Sequence, residues 1–165
     1  MEISKLSASS VRIKSKNTSF ILNPSGSKIE EDAIILFERP QHYSQFESKL
    51  VIDSPGEYEV GGVSIKSEKL NGFLAFELLE DNQKVVVVSN PDSIKDAETE
   101  GAIAVLVFLS HALGDEIVSS IQTDVVLLYG PEEFLPPNKD SLKRLDKVNL
   151  KKTEDLKGYL VYLTK

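Results

Sequence analysis

The segment from Val51 to Ile65 constrains the fold of this chain more than any other stretch. It reads VIDSPGEYEVGGVSI: a short apolar run, a Pro-Gly turn, an alternating run, a Gly-Gly break and a second alternating run. Side chains alternate between the two faces of a strand, so this pattern puts Tyr58 and Val60 on one face. The segment therefore predicts a β-meander, with Gly61 and Gly62 forming a turn or bulge between strands.

The composition is that of one ordinary globular domain. The chain has 165 residues, of which 41% are hydrophobic and 27% are charged, and this length is enough for a single core. We therefore expect one domain spanning residues 1–165. The formal net charge is −7, so the average field repels a nucleic-acid backbone or an anionic membrane surface. We expect no nucleic-acid partner.

The chain contains no cysteine and two histidines. It therefore lacks disulfides, thiolate zinc sites and cysteine nucleophiles, and a metal would have to be held by carboxylates and the two histidines. No apolar run approaches the roughly 20 residues of a membrane span, and the first residues lack the pattern of a signal peptide. We expect no membrane association and a cytoplasmic location.

Short strands dominate the first half of the chain, and strands alternate with short helices in the second half. The expected strands are a meander of three over 2–22, a buried strand at 33–37, a hairpin of 73–79 with 85–88, buried strands at 103–109 and 125–128, and a closing pair at 148–150 and 159–163. The expected helices are a short one capped by Asn90, one over 115–121 with Ile117, Val118 and Ile121 on one face, and one or two turns over 139–145. This order favours two β-sheets packed face to face with a few helices outside.

Three stretches together resemble a known family. The run Pro55–Val60 resembles the "pGEYEvkGv.I" segment of small metal-dependent hydrolases of the metallo-β-lactamase superfamily, in its ascorbate-6-phosphate lactonase-like branch. The run 21–24 resembles the "iliDP" strand end of these proteins, with Asn23 in place of the usual Asp, and 32–36 resembles "aDivllTH". The resemblance implies an α+β fold of the metallo-β-lactamase type, a four-layer αββα sandwich in a reduced, strand-rich form with few short helices.

The resemblance also implies a metal loop, THxHxDH, after the strand at 33–37, where two imidazoles and an Asp-His pair bind one or two metals. The corresponding run here is FERPQHY, residues 37–43. Glu38 and Pro40 stand where the first two histidines would be, His42 stands at the Asp position, and Tyr43 stands at the last histidine. Proline offers no ligand atom, so this loop differs chemically from the motif.

The remaining ligand positions implied by the resemblance are also changed. They fall near 68–69, 89–90 and 129–130, where the chain has no histidine and where Asn90 replaces an aspartate. We therefore expect no catalytic residue, no metal and no other cofactor, and we expect vestigial site positions at Glu38, Pro40, His42, Tyr43, Asn90 and Tyr129.

A second run, LSHALGDE at 109–116, imitates the metal loop after an apolar strand. It retains His111 and Asp115 but follows the Pro55–Val60 segment, whereas the metal loop should precede it. We therefore interpret Ser110 and Asp115 as residues of a turn and a helix start.

Two further features have alternative interpretations. His42 with Glu38, Glu47 and Tyr43 could form a small polar site in which carboxylates make the imidazole a base, but a solvated loop is the simpler interpretation. The run Phe134–Pro137 could be an exposed partner surface, although packing over the sheet is favoured.

These observations predict a catalytically inactive, metal-free protein of the metallo-β-lactamase fold that serves as a binding or interaction module. Its partner would be a second copy or another protein, bound through a sheet edge or the Phe134–Pro137 run. The alternative is a hydrolase with a remodelled or metal-dependent site around Glu38, His42 and Asn90. A third hypothesis, a subunit whose only role is assembly, predicts no pocket.

Overall fold

Two β-sheets make up most of the computed structural model, which describes residues 1–26, 28–46, 49–137 and 142–165. The strands are β1 (Glu2–Lys5), β2 (Val11–Lys14), β3 (Ser19–Leu22), β4 (Ala33–Ile35), β5 (Leu50–Ile52), β6 (Gly56–Val60), β7 (Val63–Leu70), β8 (Phe73–Glu80), β9 (Gln83–Val88), β10 (Ala102–Phe108), β11 (Val125–Tyr129), β12 (Leu142–Leu145), β13 (Lys147–Asn149) and β14 (Leu160–Leu163). The helices are α1 (Asp115–Ser120) and 3₁₀ helices at Ser44–Phe46, Pro91–Lys95, Glu132–Phe134 and Glu154–Leu156.

Each sheet mixes antiparallel and parallel pairs. The six-stranded sheet has the order β13-β1-β2-β3-β4-β5, and the eight-stranded sheet has the order β12-β14-β11-β10-β9-β8-β7-β6. The predicted meander is confirmed as β1, β2 and β3, and the predicted hairpin is confirmed as β8 and β9. In the hairpin turn, Asp81 and Asn82 both have positive φ (49° and 62°), as a tight two-residue turn requires.

The segment from Val51 to Ile65 links the two sheets, whereas the strands of the predicted meander would all belong to one sheet. β5 pairs with β4 in the six-stranded sheet, whereas β6 and β7 pair with each other in the eight-stranded sheet. The crossing at the Pro-Gly turn is held by the carbonyl oxygen of Ser54, which accepts hydrogen bonds from the Tyr58 hydroxyl at 2.8 Å and the Ser67 hydroxyl at 2.6 Å.

The main core lies between the sheets. Alternate residues from both sheets meet there, for example Ile13 and Phe20 from one and Phe76 and Leu106 from the other. A second apolar cluster covers the outer face of the eight-stranded sheet beneath α1, where Ile117 is buried and Val118 and Ile121 are partly buried. The central strands β9, β10 and β11 are therefore apolar on both faces, which explains their continuous hydrophobic runs.

Two predicted elements of the C-terminal third are wrong. β13 and β14 do not pair with each other: β13 pairs with β1, and β14 lies between β11 and β12 in the other sheet. Residues 142–145 form strand β12 rather than a helix, because parallel pairing with the buried β14 satisfies their backbone; residues 139–141 lie outside the described part of the chain.

The Phe134–Pro137 run packs over the eight-stranded sheet. Phe134 is partly buried and Leu135 is buried in the outer cluster, and the Phe134 carbonyl accepts a hydrogen bond from Leu113 N at 3.2 Å. The run therefore does not form an exposed apolar patch. Among the described residues, no helix is long and apolar enough to cross a bilayer.

Candidate functional site

A cavity of about 330 Å³ opens where strands of both sheets end. Asn23 follows β3, Glu38 to Pro40 follow β4, Ser89 follows β9, and Phe108 ends β10. β3 and β4 are parallel, as are β9 and β10, so each pair delivers its following loop to the same edge. Ligand sites in mixed α/β sheets typically lie outside the carboxyl ends of parallel strands.

Three phenylalanines, Phe37, Phe73 and Phe108, form the apolar wall of this cavity. Phe37 is buried and contacts Phe76 with ring centroids 6.1 Å apart. Phe73 is 37% exposed, although it lies in an apolar strand. A hydrogen bond of 3.0 Å from Leu74 N to the Phe37 carbonyl fixes this wall by joining the two sheets.

Asn23 and Ser89 supply neutral polar groups to the cavity. Asn23 has a positive φ of 43°, a conformation that asparagine tolerates, and its Oδ1 accepts a hydrogen bond from Phe37 N at 3.4 Å. Ser89 is buried, and its hydroxyl accepts a hydrogen bond from Asn90 Nδ2 at 3.2 Å. The cavity therefore offers an amide bonded to the backbone and a hydroxyl bonded to the Asn90 side chain.

The loop after β4 places only some of its predicted site residues in the cavity. Glu38, Arg39 and Pro40 line the cavity, whereas His42 and Tyr43 are exposed and do not. The Tyr43 hydroxyl donates a hydrogen bond to the Asp53 carboxylate, and this bond raises the pKa of Tyr43 above its usual value. Glu47, the other carboxylate predicted near His42, lies outside the described residues.

Asn90 has a structural role and lines a second, neighbouring cavity. Its Oδ1 caps the 3₁₀ helix Pro91–Lys95 by accepting hydrogen bonds from Ser93 N at 2.9 Å and Ser93 Oγ at 3.1 Å, as its predicted capping position requires. The second cavity shares only the wall residue Phe73 with the first. Glu38 and Asn90 therefore line different cavities, and His42 lines neither.

Tyr129 lies inside the core, next to the cavity wall. It ends β11 and is fully buried, and its ring centroid is 5.3 Å from that of Phe108. Within the described part of the chain its hydroxyl has no hydrogen-bond partner, and burial raises the pKa of Tyr129 far above the usual value. A phenol in this environment stays neutral.

The donor set around the cavity does not fit the metal that the superfamily resemblance implies. Zinc sites use imidazole, thiolate and carboxylate ligands, usually three or four together. The cavity contributes one carboxylate, Glu38, beside a cationic guanidinium, Arg39, with Asn23 and Ser89 as weak neutral donors. Over residues 1–26, 28–46, 49–137 and 142–165, no group of three His, Cys, Asp or Glu side chains is placed to hold a metal ion.

Sequence reasoning missed several residues that line the cavity. Arg39, Ser89, Phe73 and Phe108 were not among the predicted site positions, although each borders the end of a strand or lies beside one. The available signal for Arg39, Ser89 and Phe108 was their position at or just after the end of a predicted buried strand, whereas Phe73 begins its strand. The described residues also form a cavity, which the assembly-only hypothesis did not predict.

Comparisons with known proteins give a fold but no sequence relative. No protein-family model and no curated protein matches the chain. A Thermotoga maritima protein described as a Zn-dependent hydrolase of the metallo-β-lactamase superfamily matches 99% of this chain and 99% of its own, with a TM-score of 0.72 at 17% identity.

Two further solved structures have the same fold over most of this chain. A mutant of CmlA β-hydroxylase matches 99% of this chain and 52% of its own, with a TM-score of 0.56 at 12% identity. A diphosphatase of the PhnP family matches 94% and 80%, with a TM-score of 0.50 at 7% identity. Identities this low establish a fold and not an activity. The chain has the α+β fold of the metallo-β-lactamase superfamily.

Proposed function

We propose that this chain is a metal-free protein of the metallo-β-lactamase fold that has lost the metal-dependent catalysis of the superfamily and binds a small ligand. It would be a single cytoplasmic domain with a reduced four-layer αββα architecture. One observation carries the proposal: a cavity persists at the carboxyl ends of the parallel strands, while the side chains around it include a single carboxylate, Glu38, and a cation, Arg39.

The cavity suits a small molecule with an apolar body and one polar end. Its volume of about 330 Å³ is near the lower limit of small-molecule sites, which span roughly 300–1,000 Å³. Phe37, Phe73 and Phe108 would contact the apolar part, and the Asn23 amide and Ser89 hydroxyl would orient the polar part. A few convergent polar groups in an apolar cavity are typical of such sites.

Metal analysis tests the first half of the proposal. The protein would be purified from medium supplemented with zinc and manganese, without chelator, and analysed by plasma mass spectrometry. We expect far less than one metal ion per chain, because the donor set is inadequate. Zinc or manganese at stoichiometric occupancy would overturn the proposal.

Ligand binding tests the second half. A small-molecule library would be screened by thermal shift, and hits would be retested on Phe73→Ala and Leu79→Ala. The two side chains are similarly exposed, at 37% and 39%, but only Phe73 lines the cavity. Stabilisation by a ligand that occupies the first cavity should disappear in Phe73→Ala but persist in Leu79→Ala and in His111→Gln, because His111 lines only the second cavity. Hits that stabilise Phe73→Ala and Leu79→Ala equally would argue against this site.

The charges on the β6 edge disfavour self-association through that edge. β6 is one edge of the eight-stranded sheet, and Glu57 and Glu59 are exposed on it. An antiparallel pair of β6 strands centred on Tyr58 would set Glu57 of one copy opposite Glu59 of the other, and like charges in opposed positions repel. Light scattering at high concentration decides between a self-associating protein and one that uses a different partner.

A further inference from the structure

The second cavity, of about 390 Å³, is lined by a serine hydroxyl, an imidazole and a carboxylate. Its lining residues are Asn71, Phe73, Asn90, Asp92, Ser110 and His111. Ser110 and His111 follow β10, and Asp92 follows β9, and these two strands are parallel neighbours in which Val88 pairs with Val107. The topology therefore delivers the three side chains to one edge of the eight-stranded sheet.

These three side chains lie in a continuous polar series, in which a hydrogen bond joins Ser110 to His111 and an ion-pair contact joins His111 to Asp92. Ser110 Oγ lies 3.1 Å from His111 Nδ1, and His111 Nε2 lies 3.2 Å from Asp92 Oδ2. The negative charge of the Asp92 carboxylate beside Nε2 favours the tautomer of the neutral imidazole with its proton on Nε2, and Nδ1 is then an acceptor for the serine hydroxyl. This is the order of donors and acceptors in a Ser-His-Asp triad, with the roles of the two ring nitrogens exchanged.

The backbone on both sides of the series is fixed by buried contacts. On the Asp92 side, Asn90 caps the 3₁₀ helix that carries Asp92, and Pro91 stands at its start. On the serine side, Leu109 N donates to the Tyr129 carbonyl at 2.8 Å, and Gly130 packs so closely that a Cβ there would lie 3.0 Å from the Leu109 carbonyl oxygen. The loops that carry the three groups therefore have defined positions.

We propose that Ser110, His111 and Asp92 form a metal-independent nucleophilic site that hydrolyses small uncharged esters. Ser110 Oγ attacks the acyl carbon while its proton passes to His111 Nδ1, and the ester C–O bond then breaks as that proton passes to the leaving alcohol. Water next attacks the acyl-serine, giving a proton to His111 Nδ1. The Ser110 Oγ–acyl bond breaks, the serine regains its proton, and a carboxylic acid leaves.

The surroundings select the class of substrate. Phe73 offers an apolar contact for an aryl or short alkyl group, and the carboxylates of Asp92 and Asp96 disfavour an anionic one. The amide groups of Asn71 and Asn90 also line the cavity, and each donates one hydrogen bond, to Asp96 and Ser89 respectively. Because His111 and Asp92 are 46% and 66% exposed, we expect slow turnover.

Active-site labelling tests this proposal with EDTA present throughout. A fluorophosphonate probe should modify Ser110, as identified by peptide mass spectrometry, and Ser110→Ala should abolish the modification. His111→Gln should slow labelling by about 10-fold or more, because the base is lost. Ser64→Ala, which removes an exposed serine on β7, is the matched control and should react like the unchanged protein.

In this proposal Asp92 orients His111 and does not contact the probe. Its test therefore separates an effect on the labelling rate from an effect on probe binding. Asp92→Asn should lower the maximal labelling rate without changing the probe concentration at half-saturation, and Asp92→Glu should restore part of the rate. Circular dichroism verifies folding of each surface variant. Labelling at another residue, or labelling unchanged in His111→Gln, would overturn the proposal. Neither result bears on the metal content or on ligand binding in the first cavity, so the proposed function would be tested separately.

Discussion

Tyr129 packs against Phe108 with ring centroids 5.3 Å apart and ring planes inclined by 46°. Phe108 lines the first cavity. The Tyr129 hydroxyl is buried and has no hydrogen-bond partner in the described part of the chain. At a position where the superfamily resemblance implies a histidine ligand, the chain therefore has an unused phenol behind an apolar wall.

The first prediction concerns this hydroxyl. Leaving a buried polar group without a partner costs about 1–3 kcal/mol, so Tyr129→Phe should raise the free energy of unfolding by about 1 kcal/mol. Urea denaturation measures the change. Tyr162→Phe is the matched control, because the Tyr162 hydroxyl donates to the Gly130 carbonyl at 2.7 Å and accepts from Lys5 Nζ at 3.2 Å.

The control should move in the opposite direction, with a loss of about 1 kcal/mol. A clear loss of stability in Tyr129→Phe would mean that its hydroxyl has a hydrogen-bond partner in solution, such as a buried water molecule.

The second prediction concerns Asn90 as a helix cap. Replacing a capping asparagine by alanine typically costs about 0.5–2 kcal/mol, and the buried Ser93 N–H and hydroxyl would both lose their acceptor. Asn90→Ala should therefore lower the free energy of unfolding by about 1–2 kcal/mol. Asn90→Asp keeps the acceptor oxygen and should retain most of the stability. Equal losses in both variants would show that the hydrogen bond from Asn90 Nδ2 to Ser89 contributes more to stability than the capping bonds to Asn90 Oδ1.

Local patterns in the sequence were sufficient for much of the fold. Alternation predicted β1 to β3, the polar turn predicted the β8–β9 hairpin, and the capping position of Asn90 predicted the helix that follows it. Each of these features depends on residues close in the sequence, where turn chemistry and periodicity act directly.

Long-range pairing could not be obtained in the same way. β5 and β6 are separated by three residues yet belong to different sheets, and β13 and β14 pair with strands distant in the sequence. Apolar periodicity identifies a buried face but not the neighbour that covers it. The same limit applies to the site, because Phe73 and Phe108 have the pattern of core residues whether they meet another side chain or a cavity.

The third prediction is a pH dependence of stability that arises from Asp32. Its Oδ2 accepts hydrogen bonds from the Ser19 backbone N–H at 2.8 Å and the Ser19 hydroxyl at 3.0 Å. These bonds lower the pKa of Asp32 below its ordinary value of 3.8. A carboxylate with a lowered pKa in the folded state stabilises the protein above its unfolded pKa, and the contribution is lost as the pH falls through the folded value.

Urea denaturation of the unchanged protein and Asp32→Asn between pH 7 and pH 2 measures this effect. The difference in unfolding free energy between them should be constant above about pH 5 and should shrink as the pH falls below about 4. A difference that does not change over this range would contradict the role of the ionised carboxylate in joining β3 to β4.

The fourth prediction separates the two glycines of the Val51–Ile65 segment. Gly61 and Gly62 both have positive φ, 58° and 84°, so alanine at either position is strained by about 1–2 kcal/mol. Of the two, Gly61 also meets the turn that precedes β3 of the other sheet: a Cβ there would lie 2.5 Å from Cβ of the buried Thr18, whereas a Cβ at Gly62 would meet nothing within 4 Å. Overpacking of this kind costs about 1–3 kcal/mol more.

Gly61→Ala should therefore lower the free energy of unfolding by about 2 kcal/mol more than Gly62→Ala, as measured by urea denaturation. Equal losses would mean that the pair is needed only for the turn between β6 and β7, and that the contact with Thr18 does not fix how the two sheets meet.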